Sequence, residues 1–152
     1  MNLSDILTPS RIEVQQVCAS KNDVLDTLLA ILEKNGDIAN VDDVRKVIWE
    51  RENLMSTGIG HGIALPHGKS NAVQRVSASA ITLAKPVDYE SLDGKPVLLA
   101  IMLIGRENEV STHLKLLSKL SRILISDSFR FEALKATTSD DLYRLFVHEE
   151  QP

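Results

Sequence analysis

The stretch Ser56-Thr57-Gly58-Ile59-Gly60-His61-Gly62-Ile63-Ala64-Leu65-Pro66-His67-Gly68-Lys69 decides how the rest of the chain is read. It holds four of the seven glycines and two of the four histidines. Glycine at this density lets the backbone approach a neighbour closely or take positive φ. Ile63-Ala64-Leu65 reads as a very short apolar strand, and Pro66, lacking an N–H, is expected to end its pairing. His67 then falls just past a strand end, backed by Gly68 and followed two residues on by the cation Lys69. A histidine offered in this way is placed to do chemistry on an anion.

Taken alone, a histidine in a Gly/Pro loop is more often a surface residue. The words Ser-Thr-Gly-Ile-Gly-x-Gly-Ile-Ala-Leu-Pro-His-Gly-Lys, however, resemble the active-site signature of the enzyme IIA domains of the bacterial phosphotransferase system, in their fructose–mannitol–nitrogen-regulatory class. The resemblance is densest from Arg51 to Lys69 and extends over roughly residues 3–147. It implies that His67, the histidine after Pro, is the phosphorylated nucleophile, and by analogy that Nε2 is the nitrogen used. It implies an assisting, unphosphorylated histidine at the Thr112-His113-Leu114 helix start, and an arginine, Arg51, near the active histidine as phosphoryl stabiliser. On residues alone, Arg51 is equally a solvated helix residue paired with a nearby Glu. Ser56, Thr57 and Gly58 are candidate phosphate-binding groups through hydroxyls and backbone N–H, with a helix cap or a turn as the plain alternative. His61 is read as a variable position and His148 as incidental.

Composition sets the frame. The 152 residues are 43% hydrophobic and 25% charged, which suits one domain, residues 1–152, with a real core. A net charge of −4 and a pI near 5.5 argue against nucleic acid as a partner. Cys18, alone, excludes an internal disulfide and is expected to be a small buried side chain in a reducing, cytoplasmic setting. No apolar run is long enough to span a bilayer, so membrane insertion is not expected. The N-terminus lacks the charged and apolar regions of a signal peptide.

The elements follow from pattern. A helical turn is expected over 3–7 and a strand over 11–17. Ser20 starts a helix with Asp23 as an acidic variant of the capping box, and Val24, Leu25, Leu28, Leu29, Ile31 and Leu32 form its inner stripe up to Asn35-Gly36. A second helix opens at Asn40 or Val41, with Val44, Val47, Ile48 and Leu54 expected inward. A strand over 76–83 is expected to break at Lys85-Pro86. The run 97–104 is almost wholly apolar, as in a central strand buried on both faces. The longest helix opens at Ser111-Thr112-His113-Leu114, with Leu114, Leu117, Leu120, Ser121 and Leu124 expected inward. Two more helices follow, over 129–135 and from Ser139, and the tail after His148 is expected to fray. This order predicts an α/β fold, a mixed β-sheet flanked by helices on both faces, as the resemblance also implies.

Other chemistries fail on spacing. The H-x5-H of His61 and His67, with His113 added, matches no tight metal-ligand set, so no metal is expected. Gly58-Ile59-Gly60-His61-Gly62-Ile63 fails G-x-G-x-x-G because position 63 is Ile. No esterase elbow or P-loop occurs, and no cofactor is expected. The resemblance implies phosphoryl transfer from a phosphorylated histidine phosphocarrier protein, or its nitrogen-branch counterpart, to His67. A regulatory, nitrogen-related role is preferred. The alternatives are relay to a IIB domain of a fructose- or mannitol-type permease, and a IIA-like binding module without transfer.

Overall fold

The computed structural model describes residues 1–151. A helical turn, α1 (Leu3–Ile6), and a 3-10 turn (Pro9–Arg11) lead into strand β1 (Ile12–Gln16), then helices α2 (Lys21–Lys34) and α3 (Val41–Leu54). Three short strands come next, β2 (Gly58–Gly60), β3 (Ile63–Ala64) and β4 (His67–Lys69). The long strands β5 (Ser77–Val87) and β6 (Val97–Gly105) precede helices α4 (Val110–Leu124), α5 (Asp127–Lys135) and α6 (Ser139–Glu150).

The sheet order is β1-β5-β6-β3-β2, with β4 also on β6. β1 runs parallel to β5, β5 antiparallel to β6, and both β3 and β4 parallel to β6. Strand alternation sends successive side chains to opposite faces, and both faces are covered. Ala78, Ala80, Leu99, Ile101 and Leu103 pack with Leu116, Leu120, Phe129 and Phe146 of α4–α6. Ile81, Leu83, Ala100, Met102 and Ile104 pack with Leu25, Leu28, Leu29, Val44 and Ile48 of α2 and α3. The mixed sheet with helices on both faces is therefore the observed architecture.

The helix starts obey their signals. Ser20 Oγ accepts from Asp23 N at 3.2 Å while Asp23 Oδ2 accepts from Ala19 N at 2.9 Å. Asn40 Oδ1 accepts from Asp42 N and Asp43 N. Gly36, at φ +77, releases the chain from α2 in the left-handed region.

Five expectations are corrected. First, Lys85-Pro86 does not end the strand, because β5 continues to Val87. Pro86 falls where the ladder to β6 shifts between Thr82 and Val87, so its missing donor costs no pairing. Second, the inner face of α4 is His113, Leu116, Leu120, Ile123 and Leu124: Leu120 and Leu124 lie inward as expected and Leu117 is half-buried, but Leu114 and Ser121 face solvent. Third, Leu54 is 83% exposed, because the inward positions of α3 are 44, 48 and 52, and residue 54 lies on the far side. Fourth, the chain after His148 stays helical to Glu150. Its carboxylate accepts from Leu3 N and from Ser4 N (3.0 Å) and pairs with Lys119 Nζ at 2.9 Å, tying both ends of the chain together. Pro152, the last residue of that expected tail, lies outside the described residues. Fifth, Cys18 is only half-buried, with Sγ 3.7 Å from Thr27 Oγ1, and burial pushes its thiol pKa up.

Candidate active site

Pro66 interrupts the edge of the sheet without ending it. Pro66 cannot donate, but its carbonyl accepts from Leu103 N at 3.0 Å, and pairing with β6 resumes at His67, opposite Leu103. His67 thus starts a strand, where the sequence placed it past one. Gly68 follows because α3 lies against the strand: a Cβ there would stand 2.8 Å from Val47 Cγ1 and 3.3 Å from Ile48 Cδ1.

The His67 ring is oriented by its own backbone. Nδ1 lies 2.9 Å from the Leu65 carbonyl oxygen. A carbonyl only accepts, so Nδ1 carries the proton and the lone pair resides on Nε2. Burial first, and the Arg51 charge in addition, hold the His67 pKa below the ordinary 6.5, while the Leu65 hydrogen bond and Glu52 push the other way. The imidazole is therefore neutral near pH 7, with a defined nucleophilic nitrogen.

His113 approaches from α4. Its backbone N–H closes the first α-helical turn on the Glu109 carbonyl at 3.1 Å. The ring is buried, 6.1 Å from the His67 ring between centroids and inclined at 49°. Its Nδ1 is sealed from solvent without a hydrogen-bond partner, over Gly105. A buried lone pair without a partner is tolerated more readily than a buried N–H without one, so the proton belongs on Nε2. Burial, His67 and Lys69 lower the His113 pKa to about 4. The site therefore pairs a neutral acceptor nitrogen on His67 with a neutral donor on His113.

Arg51, in the last turn of α3, donates from Nη1 to the Met55 carbonyl at 2.8 Å. Among the described residues it forms no salt bridge, so the pairing with a neighbouring Glu does not occur, and its charge acts on His67. Ser56, Thr57 and Gly58 are more committed than the sequence suggested. Ser56 Oγ accepts from Gly58 N at 3.1 Å and lies 3.4 Å from the Tyr89 carbonyl. Thr57 is buried, its N–H donating to Glu52 Oε1 at 3.1 Å and its hydroxyl to Glu52 Oε2. Gly58 is packed under Ser91, whose Oγ and Cα an added Cβ would overlap. The three residues shape the loop, and their donors are turned inward. His61 is exposed in the β2–β3 turn at φ +58, its N–H donating to Asp93 Oδ2 at 3.3 Å.

Sequence reasoning missed Glu52. It is buried on the inner face of α3, paired with Lys21 Nζ at 3.0 Å, and Lys21 lies over the Tyr89 ring at 4.7 Å and the Trp49 ring at 5.8 Å. The usable signal was its position, four residues after Ile48 and eight after Val44, on the apolar stripe of α3.

Fold and site together define the class: an α/β domain that presents a neutral, oriented histidine at the rim of its sheet, with a second histidine beside it, as group transfer through histidine requires. Residues 5–149 match the family model described as "Phosphoenolpyruvate-dependent sugar phosphotransferase system, EIIA 2", and the chain belongs to that family. Domains of this family are phosphotransferase components that accept and pass on phosphoryl groups through histidine. The chain is 35% identical over 140 residues to the PTS system fructose-specific EIIABC component of Bacillus subtilis (strain 168), covering 92% of this chain but only 22% of that protein. It is 32% identical over 147 residues to the nitrogen regulatory protein of Pseudomonas aeruginosa, covering 97% of this chain and 96% of that one. The crystal structure of nitrogen regulatory protein IIA-Ntr from Neisseria meningitidis superposes with a TM-score of 0.88 at 30% identity, covering 94% and 97% of the two chains. Among the described residues, no helix is long and apolar enough to cross a membrane.

Proposed function

We propose that His67 is the phosphoryl acceptor of this domain. The observation that carries the reading is the 2.9 Å contact from His67 Nδ1 to the Leu65 carbonyl, which leaves the Nε2 lone pair free for attack. In the transfer, Nε2 forms a bond to the phosphorus of a phosphohistidine on a histidine phosphocarrier protein. The donor's P–N bond breaks as its electron pair returns to that ring. His113 Nε2–H donates to a phosphoryl oxygen, and Arg51 offsets the developing charge. Catalysis is positioning and electrostatics, as in phosphoryl transfer generally.

Domains of the family pair with IIB domains and with phosphocarriers. For this chain the regulatory role is preferred, in the cytoplasm, with phosphorylation of His67 changing contacts with a target protein. Its support is the likeness to the Pseudomonas nitrogen regulatory protein across nearly the whole of both chains. The second reading, relay to the cysteine of a IIB domain in sugar uptake, draws on the fructose-specific relative.

The experiment is reconstitution with phosphoenolpyruvate, enzyme I and the histidine phosphocarrier. An acid-labile, base-stable mass increase on the wild type that is absent from His67→Ala supports the reading. Label that persists in His67→Ala overturns it. A IIB domain that drains the label favours relay over regulation.

A further inference from the structure

The buried Lys21–Glu52 pair lies at one end of a continuous hydrogen-bonded path whose other end is the His67 ring. Glu52 Oε1 accepts from Thr57 N at 3.1 Å. The Thr57 carbonyl accepts from Leu65 N at 2.9 Å. The Leu65 carbonyl accepts from His67 Nδ1 at 2.9 Å. Glu52 Oε2 takes the Thr57 hydroxyl, and Tyr89 Oη reaches the same hydroxyl at 3.2 Å. The end of α3 and the segment after β5 thereby meet at one threonine, and the start of α2 holds both of them through Lys21.

We propose that Glu52, held by Lys21, is a positioning residue for phosphoryl transfer: it fixes Thr57, hence the Leu65 carbonyl, and hence the Nδ1–H tautomer and aim of His67. The inference rests on the reading of His67 as the acceptor.

Stability alone does not account for the pair. Burying a carboxylate and an ammonium costs desolvation that their attraction roughly offsets, and apolar residues of similar volume often serve a core as well or better. Lys21 also occupies the first turn of α2, the end where the helix dipole disfavours a cation. Its ammonium is turned instead onto Glu52 and the faces of Tyr89 and Trp49. Both oxygens of Glu52 are thereby committed to Thr57 and Lys21, and the carboxylate cannot swing toward the arriving phosphoryl group. Tautomer-fixing partners of this kind are a recognised determinant of how a histidine presents its second nitrogen.

The test uses the full chain with nitrogen-15 in its histidines. Wild-type His67 is expected to show N–H character at Nδ1 and lone-pair character at Nε2. In Glu52→Ala with Lys21→Met, which leaves no unpaired buried charge, the two tautomers are expected to mix, and His67 labelling to slow by at least about tenfold. Glu52→Gln with Lys21→Met restores an oxygen for Thr57 N–H and is expected to recover most of both. If Glu52→Ala with Lys21→Met is folded and keeps the wild-type tautomer and rate, the inference is wrong. Should that variant not fold, Glu52→Leu with Lys21→Met decides: apolar residues of similar volume fill the site and remove both tethers on Thr57, and an unchanged tautomer and rate overturns the inference. A tautomer shift in a protein whose His67 never takes label leaves the positioning intact and removes the acceptor assignment. Labelling at His67 with no tautomer shift does the reverse.

Discussion

The His113 ring stands 6.1 Å from the His67 ring between centroids, tilted at 49°, and no hydrogen bond joins them. The two histidines are therefore companions around a shared space, one supplying a lone pair and the other a proton. His113→Ala removes the donor and is expected to slow labelling of His67 by about a hundredfold, the usual cost of losing one preorganised donor. His113→Gln retains an N–H of similar reach and should recover part of the loss. Quenched-flow labelling with the phosphorylated carrier measures both.

Stability should fall in mild acid through His113. Its pKa drops from 6.5 unfolded to about 4 folded, chiefly by burial. Between those values the unfolded chain binds a proton that the folded chain does not, so unfolding becomes easier as pH falls through that window. Above pH 6.5 both states are neutral and the term vanishes. The loss should reach roughly 2–3 kcal/mol by pH 4. Urea melts from pH 7.5 to 4 on wild type and His113→Gln test it, and the variant should show a flatter dependence.

Arg51→Gln should change both rate and pH dependence. Burial and Arg51 lower the His67 pKa, so wild-type labelling should be flat above neutrality, with its acid limb below pH 6.5. Removing Arg51 should move that limb upward, because one of the forces against the imidazolium is gone. It should also slow labelling about tenfold or more, through lost neutralisation of phosphoryl charge. A rate–pH profile on both proteins separates the two effects.

Gly105→Ala is expected to damage the site more than the fold. A Cβ at that position would stand 2.9 Å from His113 Nδ1, so the ring must move. Labelling should fall toward the level of His113→Ala. The unfolding free energy should drop by no more than overpacking costs, about 1–3 kcal/mol.

Asp37 provides the converse case. It is fully buried and paired with Arg11 through two hydrogen bonds of 2.7 and 2.8 Å, with Arg75 at 3.5 Å. Asp37→Asn leaves Arg11 without its counter-charge and should cost about 3 kcal/mol. The labelling rate per folded molecule should not change.

Local signals made much of this molecule legible. Ser20 and Asn40 each cap the helix that follows, Gly36 stops one, and the all-apolar run before Gly105 is the central strand, because capping and burial leave their mark within a few residues. His67 stood out through the glycines and proline around it, whereas the roles expected of Arg51 and His113 came from the resemblance of the surrounding words. What escaped was non-local. Whether Pro86 breaks β5 depends on what β6 offers opposite it, and whether His67 ends or starts a strand depends on the N–H of Leu103. The α4 stripe was misjudged at its start because Leu114 looks more apolar than His113, although it is the histidine that faces inward. Lys21, Glu52 and Tyr89 come together only once α2, α3 and the segment after β5 are folded, and the residue types alone read as solvated charge.

The interrupted edge around Pro66 bears on traffic through the domain. Because β3 and β4 share one neighbour, β6, His67 belongs to the hydrogen-bonded sheet rather than to a loop. A rigid target imposes no ordering cost on an arriving protein. On the proposed assignment, a protein arriving at His67 meets a nitrogen whose direction is already set by the sheet's hydrogen bonds, whichever way the group is to travel.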